Sequence, residues 1–224
     1  MSSELNRPPV VPGIVRVVSI PFEENCYIVH REGDRRCVVI DPGLEPEKIA
    51  ATIRSKGLLP EAILNTHGHS DHIGGNAELK RQWPDCPIVI GAGDADKLGD
   101  PTRNLSAMFG GVVRSPKADI LVGEGDVHGA ADLRFEVLAI PGHTTGHVVY
   151  LCRDFRPMAV FVGDVIFAGS VGRTDFPGGD FDLLITGIRR KLFTLPDDTM
   201  LLPGHGPATR VGDEKLDNPF AGEG

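Results

Sequence analysis

The stretch from Thr66 to His72, THGHSDH, constrains the fold of this chain more than any other segment. It places three imidazoles and one carboxylate within six residues, directly after the apolar run Ala62–Leu64, which predicts a short buried strand. Gly68 and Ser70 allow the backbone to turn sharply, so that alternate side chains can converge. We therefore expect a loop that gathers its polar side chains around one point at a strand end, rather than a solvated polar loop.

The residue types in this loop are those that bind metal ions. Imidazole and carboxylate groups are ligands of zinc, iron and manganese. His67 and His69 lie two residues apart at the strand end and can face the same way. Asp71 and His72 follow the turn and can face a second ion. The spacing therefore predicts that this loop serves two metal ions.

Three further polar residues share the same context, because each follows an apolar strand and sits beside glycine. They are His143, Asp164 and His205, in the segments AIPGHT, FVGD and LLPGHG. A polar residue at such a position is more often structural when it stands alone. The end of a buried strand is also where a rigid scaffold meets an open loop, which is where functional groups concentrate. Together with the loop at 67–72, these three residues predict a single site.

The apolar pattern along the chain places runs of strands in both halves, with helices between them. The predicted strands cover 14–20, 26–30, 36–40, 62–64, 87–91, 119–122, 133–140, 148–152, 158–162 and 200–202. The predicted helices cover 46–56, 73–83 and 180–195. This order favours two sheets packed face to face with helices outside, an α+β layered fold. No linker composition interrupts residues 1–224, so we expect one domain, preceded by a loose proline-rich arm at 1–13.

Two segments are less strongly patterned. Residues 92–116 lie between two predicted strands and form either a lid or substrate wall, or a plain connection. The tail after Asp213 is polar and is expected to pack as surface.

Composition sets limits on partners and location. The 224 residues are 41% hydrophobic and 24% charged, which is enough for a sizeable core. The net charge is −8 and no Lys/Arg-rich run occurs, so the footprint of a nucleic-acid-binding protein is missing. The four cysteines are not spaced as CxxC and lie in or beside apolar stretches, which predicts buried free thiols. Neither a signal peptide nor an apolar run of about 20 residues occurs, so we predict no membrane span and a cytoplasmic location.

In combination, THGHSDH, PGHTTGH, FVGD, GRTDFPGGD and LPGHG resemble the metallo-β-lactamase superfamily. The resemblance is greatest to its glyoxalase II-like branch, including short bacterial hydrolases, and it covers residues 25 to 210 or so. It implies the four-layer αββα sandwich, with the site at one edge between the sheets. It also implies that two metal ions are held by two groups of three ligands and one bridge. The first group is His67, His69 and His143, the second is Asp71, His72 and His205, and the bridge is Asp164.

The chemistry that the resemblance implies is metal-dependent hydrolysis with two divalent ions, zinc, iron or manganese. Two cations that share a water lower its pKa toward neutrality and provide hydroxide as a nucleophile. A thiolate leaving group, with a pKa of about 8.5, needs little help from an acid, so we expect a thioester such as S-lactoylglutathione. Asp164 and Asp71 are the expected catalytic residues. The first keeps the two ions close, and the second orients the hydroxide in addition to binding metal.

Two residues near these motifs have alternative interpretations. Arg173 in GRTD either binds a substrate carboxylate or holds its own loop through an ion pair with Asp175 or Asp180. His147 either donates a hydrogen bond to a ligand or is a structural histidine. Glyoxalase II proper also carries a C-terminal helical segment that helps to bind glutathione, whereas only residues 207–224 follow LPGHG in this sequence. Glutathione recognition is therefore left open by the resemblance.

The alternative function is a persulfide dioxygenase of the same superfamily. Such an enzyme uses one iron held by two histidines and one aspartate, which leaves open positions for oxygen. By analogy, His67, His143 and Asp164 would be its ligands. The GRTDF stretch suits this group, whereas the PGHG context of His205 suits the two-metal hydrolases better. A non-catalytic relative would have lost ligands, and none is missing here.

Overall fold

The computed structural model of the protein describes residues 12–20 and 22–223. Its strands are β1 (Pro12–Ser19), β2 (Glu24–Arg31), β3 (Arg36–Ile40), β4 (Leu59–Asn65), β5 (Ile88–Gly91), β6 (Ile120–Val122), β7 (Val127–Ala130), β8 (Leu133–Ala139), β9 (Val148–Cys152), β10 (Ala159–Gly163), β11 (Ile166–Phe167), β12 (Ser170–Val171), β13 (Met200–Pro203) and β14 (Thr209–Arg210). Its α-helices are α1 (Pro46–Ser55), α2 (Ser70–Ile73), α3 (Asn76–Gln82), α4 (Phe181–Gly187) and α5 (Val211–Asp217). Most of the predicted arm at 1–13 lies outside the described residues, and residues 12 and 13 begin β1.

The described strands form two six-stranded sheets and one small hairpin. The sheets have the orders β1-β2-β3-β4-β5-β6 and β14-β13-β10-β9-β8-β7. In the first sheet, β3, β4 and β5 run parallel. In the second, β10 is parallel to β13, and both β8 and β10 are antiparallel to β9, so that β8, β10 and β13 share one direction. Strand β6 is parallel to β5 as well, so the carboxyl ends of β3, β4, β5 and β6 meet at one edge of the first sheet, and those of β8, β10 and β13 meet at one edge of the second.

The strands separate into two apolar faces because successive side chains point to opposite sides of a sheet. In β2, Tyr27 and Val29 belong to the core between the two sheets, whereas Cys26 and Ile28 pack against the helices outside. Strand β9 divides in the same way, with Tyr150 in the core between the sheets. Since both faces are buried, these strands are apolar throughout rather than alternating.

Helices cover the outer face of each sheet. Helix α1 buries Ile49 and Ile53, which lie four residues apart on one face and pack on the first sheet. Helix α4 buries Leu184 against the second sheet. The carboxylate of Asp180 begins α4 by accepting a hydrogen bond from the backbone N–H of Leu183 at 2.9 Å. The layers are therefore helix, sheet, sheet and helix, which confirms the predicted αββα sandwich.

The predicted helix over 73–83 is wrong at its start, because the chain forms the separate helices α2 and α3 there. Gly74 and Gly75 stand at the break. The backbone N–H of Gly75 donates to the carbonyl of Pro42 at 2.8 Å instead of continuing the helix. A Cβ at Gly74 would lie 2.5 Å from Cδ2 of Leu44, so a side chain would not fit. The close approach of another segment thus interrupts the helix.

The tail after Asp213 differs from the prediction in part. Helix α5 begins at Val211, and Glu214 and Asn218 are buried. The Glu214 carboxylate accepts hydrogen bonds from Nδ2 of Asn218 at 2.7 Å and from the backbone N–H of Gly169 at 3.0 Å. Nδ2 of Asn218 also donates to the carbonyl of Ser170 at 3.0 Å, so the contacts to residues 169 and 170 bury part of this polar tail.

Two expectations about the environment of the chain can be compared with the structure. The four cysteines are buried and unpaired, as predicted. Across residues 12–20 and 22–223, no helix has both the length and the apolar character needed to cross a membrane. A cytoplasmic location stays a prediction.

Candidate metal centre

The polar residues predicted to form one site lie at the edge where the carboxyl ends of the strands meet. His67 follows β4, His143 follows β8, Asp164 follows β10 and His205 follows β13. The two sheets are joined at this edge by a hydrogen bond from the backbone N–H of Val148 to the carbonyl of Thr66, at 2.9 Å. The structure therefore brings the predicted residues of both halves to one place.

The first group consists of three buried histidines. Nδ1 of His69 lies 3.1 Å from Nε2 of His67 and 2.9 Å from Nε2 of His143. Nδ1 of His143 contacts the carbonyl oxygen of Arg173 at 2.8 Å. Since a carbonyl can only accept, this nitrogen carries the hydrogen, and Nε2 of His143 presents a lone pair to the site. Burial and the neighbouring His143 lower the pKa of His69 to about 3, so it is a neutral imidazole suited to binding metal.

The second group consists of Asp71, His72 and His205. Oδ2 of Asp71 lies 3.3 Å from Nε2 of His205 and 3.6 Å from Nε2 of His72. Nδ1 of His205 donates to the carbonyl oxygen of Phe22 at 3.0 Å, which turns Nε2 toward the site. Each of the two imidazoles therefore directs Nε2 at the same carboxylate.

Asp164 lies between the two groups. Its Oδ1 is 3.4 Å from Nε2 of His72, and its Oδ2 is 3.6 Å from Nε2 of both His143 and His205. Burial alone would raise the pKa of Asp164, but the nearby histidines, above all His72, hold it well below its usual range. A Cβ at Gly204 would lie 2.4 Å from Oδ1 of Asp164, so only glycine leaves room for this carboxylate.

Orphaned polar atoms show that this arrangement fits metal ions. Nε2 of His72 and Oδ1 of Asp164 are buried and have no hydrogen-bond partner among the described residues. A cation next to both atoms would give them a partner, whereas a buried polar atom without a partner destabilises the fold. In the described part of the chain, three groups of side chains have ligand atoms within 4.8 Å of one another. They are His67–His69–His143, His67–His72–Asp164 and Asp71–His72–His205. These clusters are consistent with a binuclear metal site.

Asp41 supports the site, although the sequence analysis did not single it out. It follows β3, and its carboxylate accepts hydrogen bonds from the backbone N–H and the hydroxyl of Thr66, both at 2.7 Å. Oδ2 of Asp41 also accepts from Nδ1 of His72 at 3.1 Å, which leaves Nε2 of His72 to face the site. The segment Asp41-Pro42-Gly43 follows an apolar strand, as the segments of His143 and His205 do, but its glycine is two residues from the aspartate.

We expect Asp41→Asn to weaken metal binding by about 10- to 100-fold, which is typical when a partner that orients a ligand is lost. Asp41 has φ of 49°, and asparagine adopts this left-handed conformation readily, so the backbone should be kept. Competition with a chromophoric chelator measures the affinity. Asp34→Asn is the matched control, because Asp34 binds the exposed Arg36 instead. Equal affinity of the two variants would show that His72 does not depend on Asp41.

Asp94 is a second supporting residue that the sequence analysis did not identify. It lies just after β5, is fully buried, and accepts hydrogen bonds from the backbone N–H groups of Gly68 and Gly146, both at 2.9 Å. It also accepts from the hydroxyl of Thr144 at 2.7 Å and from Nζ of Lys97 at 2.6 Å. Burial would raise the pKa of Asp94, but Lys97 and these donors hold it below its usual value. Asp94 thus links the loop of His67 and His69 to the loop of His143.

His147 accepts a hydrogen bond within the site rather than donating one. Its Nε2 accepts from the backbone N–H of Asp164 at 3.2 Å, and its ring stacks on that of His67 with centroids 4.7 Å apart. Burial and the nearby His143 lower the pKa of His147 to about 3, so the ring is neutral. This geometry agrees with a structural histidine that holds Asp164 in place.

Arg173 forms the ion pair that was one of its two predicted roles. Its Nε and a terminal nitrogen each lie 2.7 Å from the carboxylate oxygens of Asp175. The guanidinium also stacks on Phe176, with Cζ 3.9 Å from the ring centroid. Asp180 is not its partner, because it caps α4. A role in binding a substrate carboxylate stays a prediction.

A cavity of about 460 Å³ opens over the ligand groups. It is lined by His69, Asp71, His143, Asp164 and His205 together with apolar side chains. Leu105 and Phe109, from the segment 92–116, are on its wall. Of the two interpretations of that segment, the structure therefore supports the wall.

Comparisons with known proteins agree with this architecture. The family model described as "Metallo-beta-lactamase superfamily" matches residues 20–205. "Probable metallo-hydrolase YqgX" of Bacillus subtilis is 41% identical over 202 residues, which cover 89% of this chain and 93% of the relative. "Hydroxyacylglutathione hydrolase GloC" of Haemophilus influenzae is 35% identical over 206 residues, which cover 89% of this chain and 93% of the relative. Among solved structures, the crystal structure of TTHA1623 in a di-iron-bound form superposes with a TM-score of 0.80 and 38% sequence identity. The match covers 92% of this chain and 99% of that chain.

Proposed function

We propose that this chain, which belongs to the metallo-beta-lactamase superfamily and is a metallo-hydrolase, hydrolyses a thioester such as S-lactoylglutathione. The observation that carries the proposal is the position of Asp164, whose carboxylate lies within 3.6 Å of imidazoles from both groups of ligand-type side chains. The name of the Haemophilus relative supports a thioester, because an acylglutathione is one.

We assign two divalent cations, zinc, iron or manganese, to the two groups. His67, His69 and His143 would hold one cation, Asp71, His72 and His205 would hold the other, and Asp164 would contact both. When bound, such cations lower the pKa of a water molecule toward neutrality, so that hydroxide is available as a nucleophile. The di-iron form of TTHA1623 supports iron as one of the candidates.

The residues of the chain would then position the reactants. The Asp71 carboxylate lines the cavity and is ionised, because His72 and His205 outweigh the effect of burial and lower its pKa. It can accept a hydrogen bond from the attacking water and orient it. The leaving thiolate, with a pKa of about 8.5, departs without a general acid. An alkoxide leaving group is far more basic than a thiolate and would need a general acid, so a thioester is favoured over an oxygen ester.

The persulfide dioxygenase remains the second candidate, with His67, His143 and Asp164 around a single iron. The second group, which consists of Asp71, His72 and His205, favours the hydrolase instead, because a single-iron enzyme does not need a second set of ligands. Oxygen uptake with glutathione persulfide separates the two functions.

We expect the purified protein to cleave S-lactoylglutathione, followed as loss of the thioester, and to lose this activity when a chelator removes the metal. Activity should return when zinc, iron or manganese is added back. Elemental analysis should find two ions per chain. If a protein with two ions per chain cleaves no thioester of glutathione or of a simpler thiol, the proposal is wrong. One iron per chain together with oxygen uptake would support the dioxygenase.

A further inference from the structure

We infer that the cavity over the metal centre binds the acyl half of the substrate, and that this acyl group is apolar. The inference rests on the proposed thioester hydrolysis and makes it more specific, because it predicts which thioesters are preferred.

Away from the ligand-type residues, the wall of this cavity is mostly apolar. Its volume of about 460 Å³ lies within the range of small-molecule sites. Its lining includes six apolar side chains, those of Phe22, Leu105, Phe109, Phe167, Val171 and Phe176. The polar lining side chains other than the ligand-type residues are Ser70 and Arg173. Such a wall stabilises a bound group mainly by removing apolar surface from water.

The apolar wall begins directly at the ligand groups, on two sides. The ring of Phe176 lies 5.9 Å from that of His69, and the ring of Phe167 lies 6.1 Å from that of His205, centroid to centroid. A carbonyl that reacts at the metal centre would therefore carry its acyl group into contact with these rings.

Phe22 and Phe109 extend the wall toward solvent. Their rings meet edge to face, with centroids 5.3 Å apart, and 36% and 55% of their surfaces are exposed. Exposed aromatic clusters beside a cleft are characteristic of ligand sites. An acyl chain that reached them would cover apolar surface that water now contacts.

Arg173, the charged side chain of the wall outside the ligand-type residues, does not favour a polar acyl group. The guanidinium of Arg173 forms two hydrogen bonds with Asp175 and lies over Phe176, so its positive charge is already balanced by a carboxylate of the protein. A hydroxyl such as that of a lactoyl group would compete with this ion pair. Desolvating a hydroxyl without an equivalent hydrogen bond costs free energy.

A second cavity provides a place for the other half of the substrate. It has a volume of about 330 Å³ and shares His69 and Leu105 with the first cavity, so the two meet at the metal centre. Asp96, Lys97 and Arg103 line it. Asp96 and Arg103 pair with each other and Lys97 pairs with Asp94, but the lining of this cavity is still more polar than that of the first. The polar thiol half therefore suits the second cavity, which leaves the apolar cavity to the acyl group.

The test is a series of thioesters that share glutathione as the thiol and differ in the acyl group: acetyl, butanoyl, hexanoyl and lactoyl. We expect kcat/KM to rise about fourfold for each methylene group that becomes buried. Hexanoyl should exceed lactoyl by roughly tenfold or more on the same scale. Equal values along the series, or a preference for lactoyl, would overturn the inference while thioester hydrolysis stood. If the protein with its metal cleaved none of the series, the proposed function would fail and the inference with it.

Phe109→Ala tests the wall itself. This variant should reduce the ratio of kcat/KM for hexanoyl over acetyl about tenfold, since a large apolar contact is lost. Phe220→Ala is the matched control, because Phe220 is 48% exposed and does not line the cavity. Its ratio should equal that of the unchanged protein. A ratio in Phe109→Ala that matches the control would contradict a role of the wall in selecting the acyl group.

Discussion

Asp164→Asn should lower kcat/KM for thioester hydrolysis by about 10³-fold or more, because Lewis-acid stabilisation is worth several kcal/mol and each 1.36 kcal/mol is tenfold. Asparagine has one oxygen where the carboxylate has two, and its amide nitrogen would face Nε2 of a histidine. It also removes the negative charge that would keep two cations close. We therefore expect elemental analysis to find at most one ion per chain in this variant.

Asp175→Asn is the matched control for this variant. It makes the same chemical change close to the cavity, but Asp175 is exposed and pairs with Arg173. It should keep two ions per chain and most of the activity. If Asp164→Asn kept both its metal and its activity, the assignment of a bridging role to Asp164 would be wrong, and with it the two-metal hydrolase.

Asp94→Asn should reduce the free energy of unfolding by about 3–5 kcal/mol, the usual cost of breaking one side of a buried ion pair. The carboxylate accepts four hydrogen bonds, and the amide of asparagine would turn two N–H groups toward those donors. Lys97, which is largely buried, would lose its counter-charge. Denaturant unfolding of the metal-free protein measures the loss without a contribution from metal binding.

Asp96→Asn provides the comparison two residues away. Asp96 pairs with Arg103, and both side chains are more than half exposed. Removing an exposed pair of this kind should cost about 1 kcal/mol or less. Similar losses in the two variants would contradict a special role of Asp94 in joining the two histidine loops.

The contribution of Asp94 should also depend on pH. Its pKa in the folded protein lies below the ordinary value of 3.8. A carboxyl with a lowered folded pKa stabilises the protein at pH values above its unfolded pKa, and this stabilisation is lost as the pH falls through the folded pKa. The difference in unfolding free energy between the unchanged protein and Asp94→Asn should therefore be full at neutral pH and shrink below pH 4 or so. A constant difference across this range would contradict the ionised state of Asp94.

Much of the candidate site could be predicted from the sequence because its members carry a local signal. His143, Asp164 and His205 each follow an apolar strand and adjoin glycine, and the loop at 67–72 holds four ligand-type residues in six positions. The structure places all of them at one edge of the sandwich. Their role as metal ligands stays a prediction, for which their convergence is the support.

Asp41 and Asp94 also lie after apolar strands and near glycine, yet their roles could not be assigned from the sequence. The partners of Asp41 at the site are 25 and 31 positions away, and those of Asp94 in the loop of His143 are 50 and 52 positions away. Only the pairing of neighbouring strands and the packing of the two sheets bring these groups within hydrogen-bond distance. A pattern within a few residues holds no information about that distance.

Strand periodicity and the spacing of ligand-type residues are properties of short segments, so the sequence predicts two packed sheets and a cluster of candidate metal ligands, and its motifs together resemble a hydrolase family. Which groups orient the histidines, and which side chains cover the candidate metal centre, depends on the tertiary structure. The apolar wall combines Phe22, Leu105 and Phe109 with residues from the segment 167–176, which are far apart along the chain. Their meeting depends on how two sheets and their loops pack, and that packing is a property of the whole chain rather than of any segment.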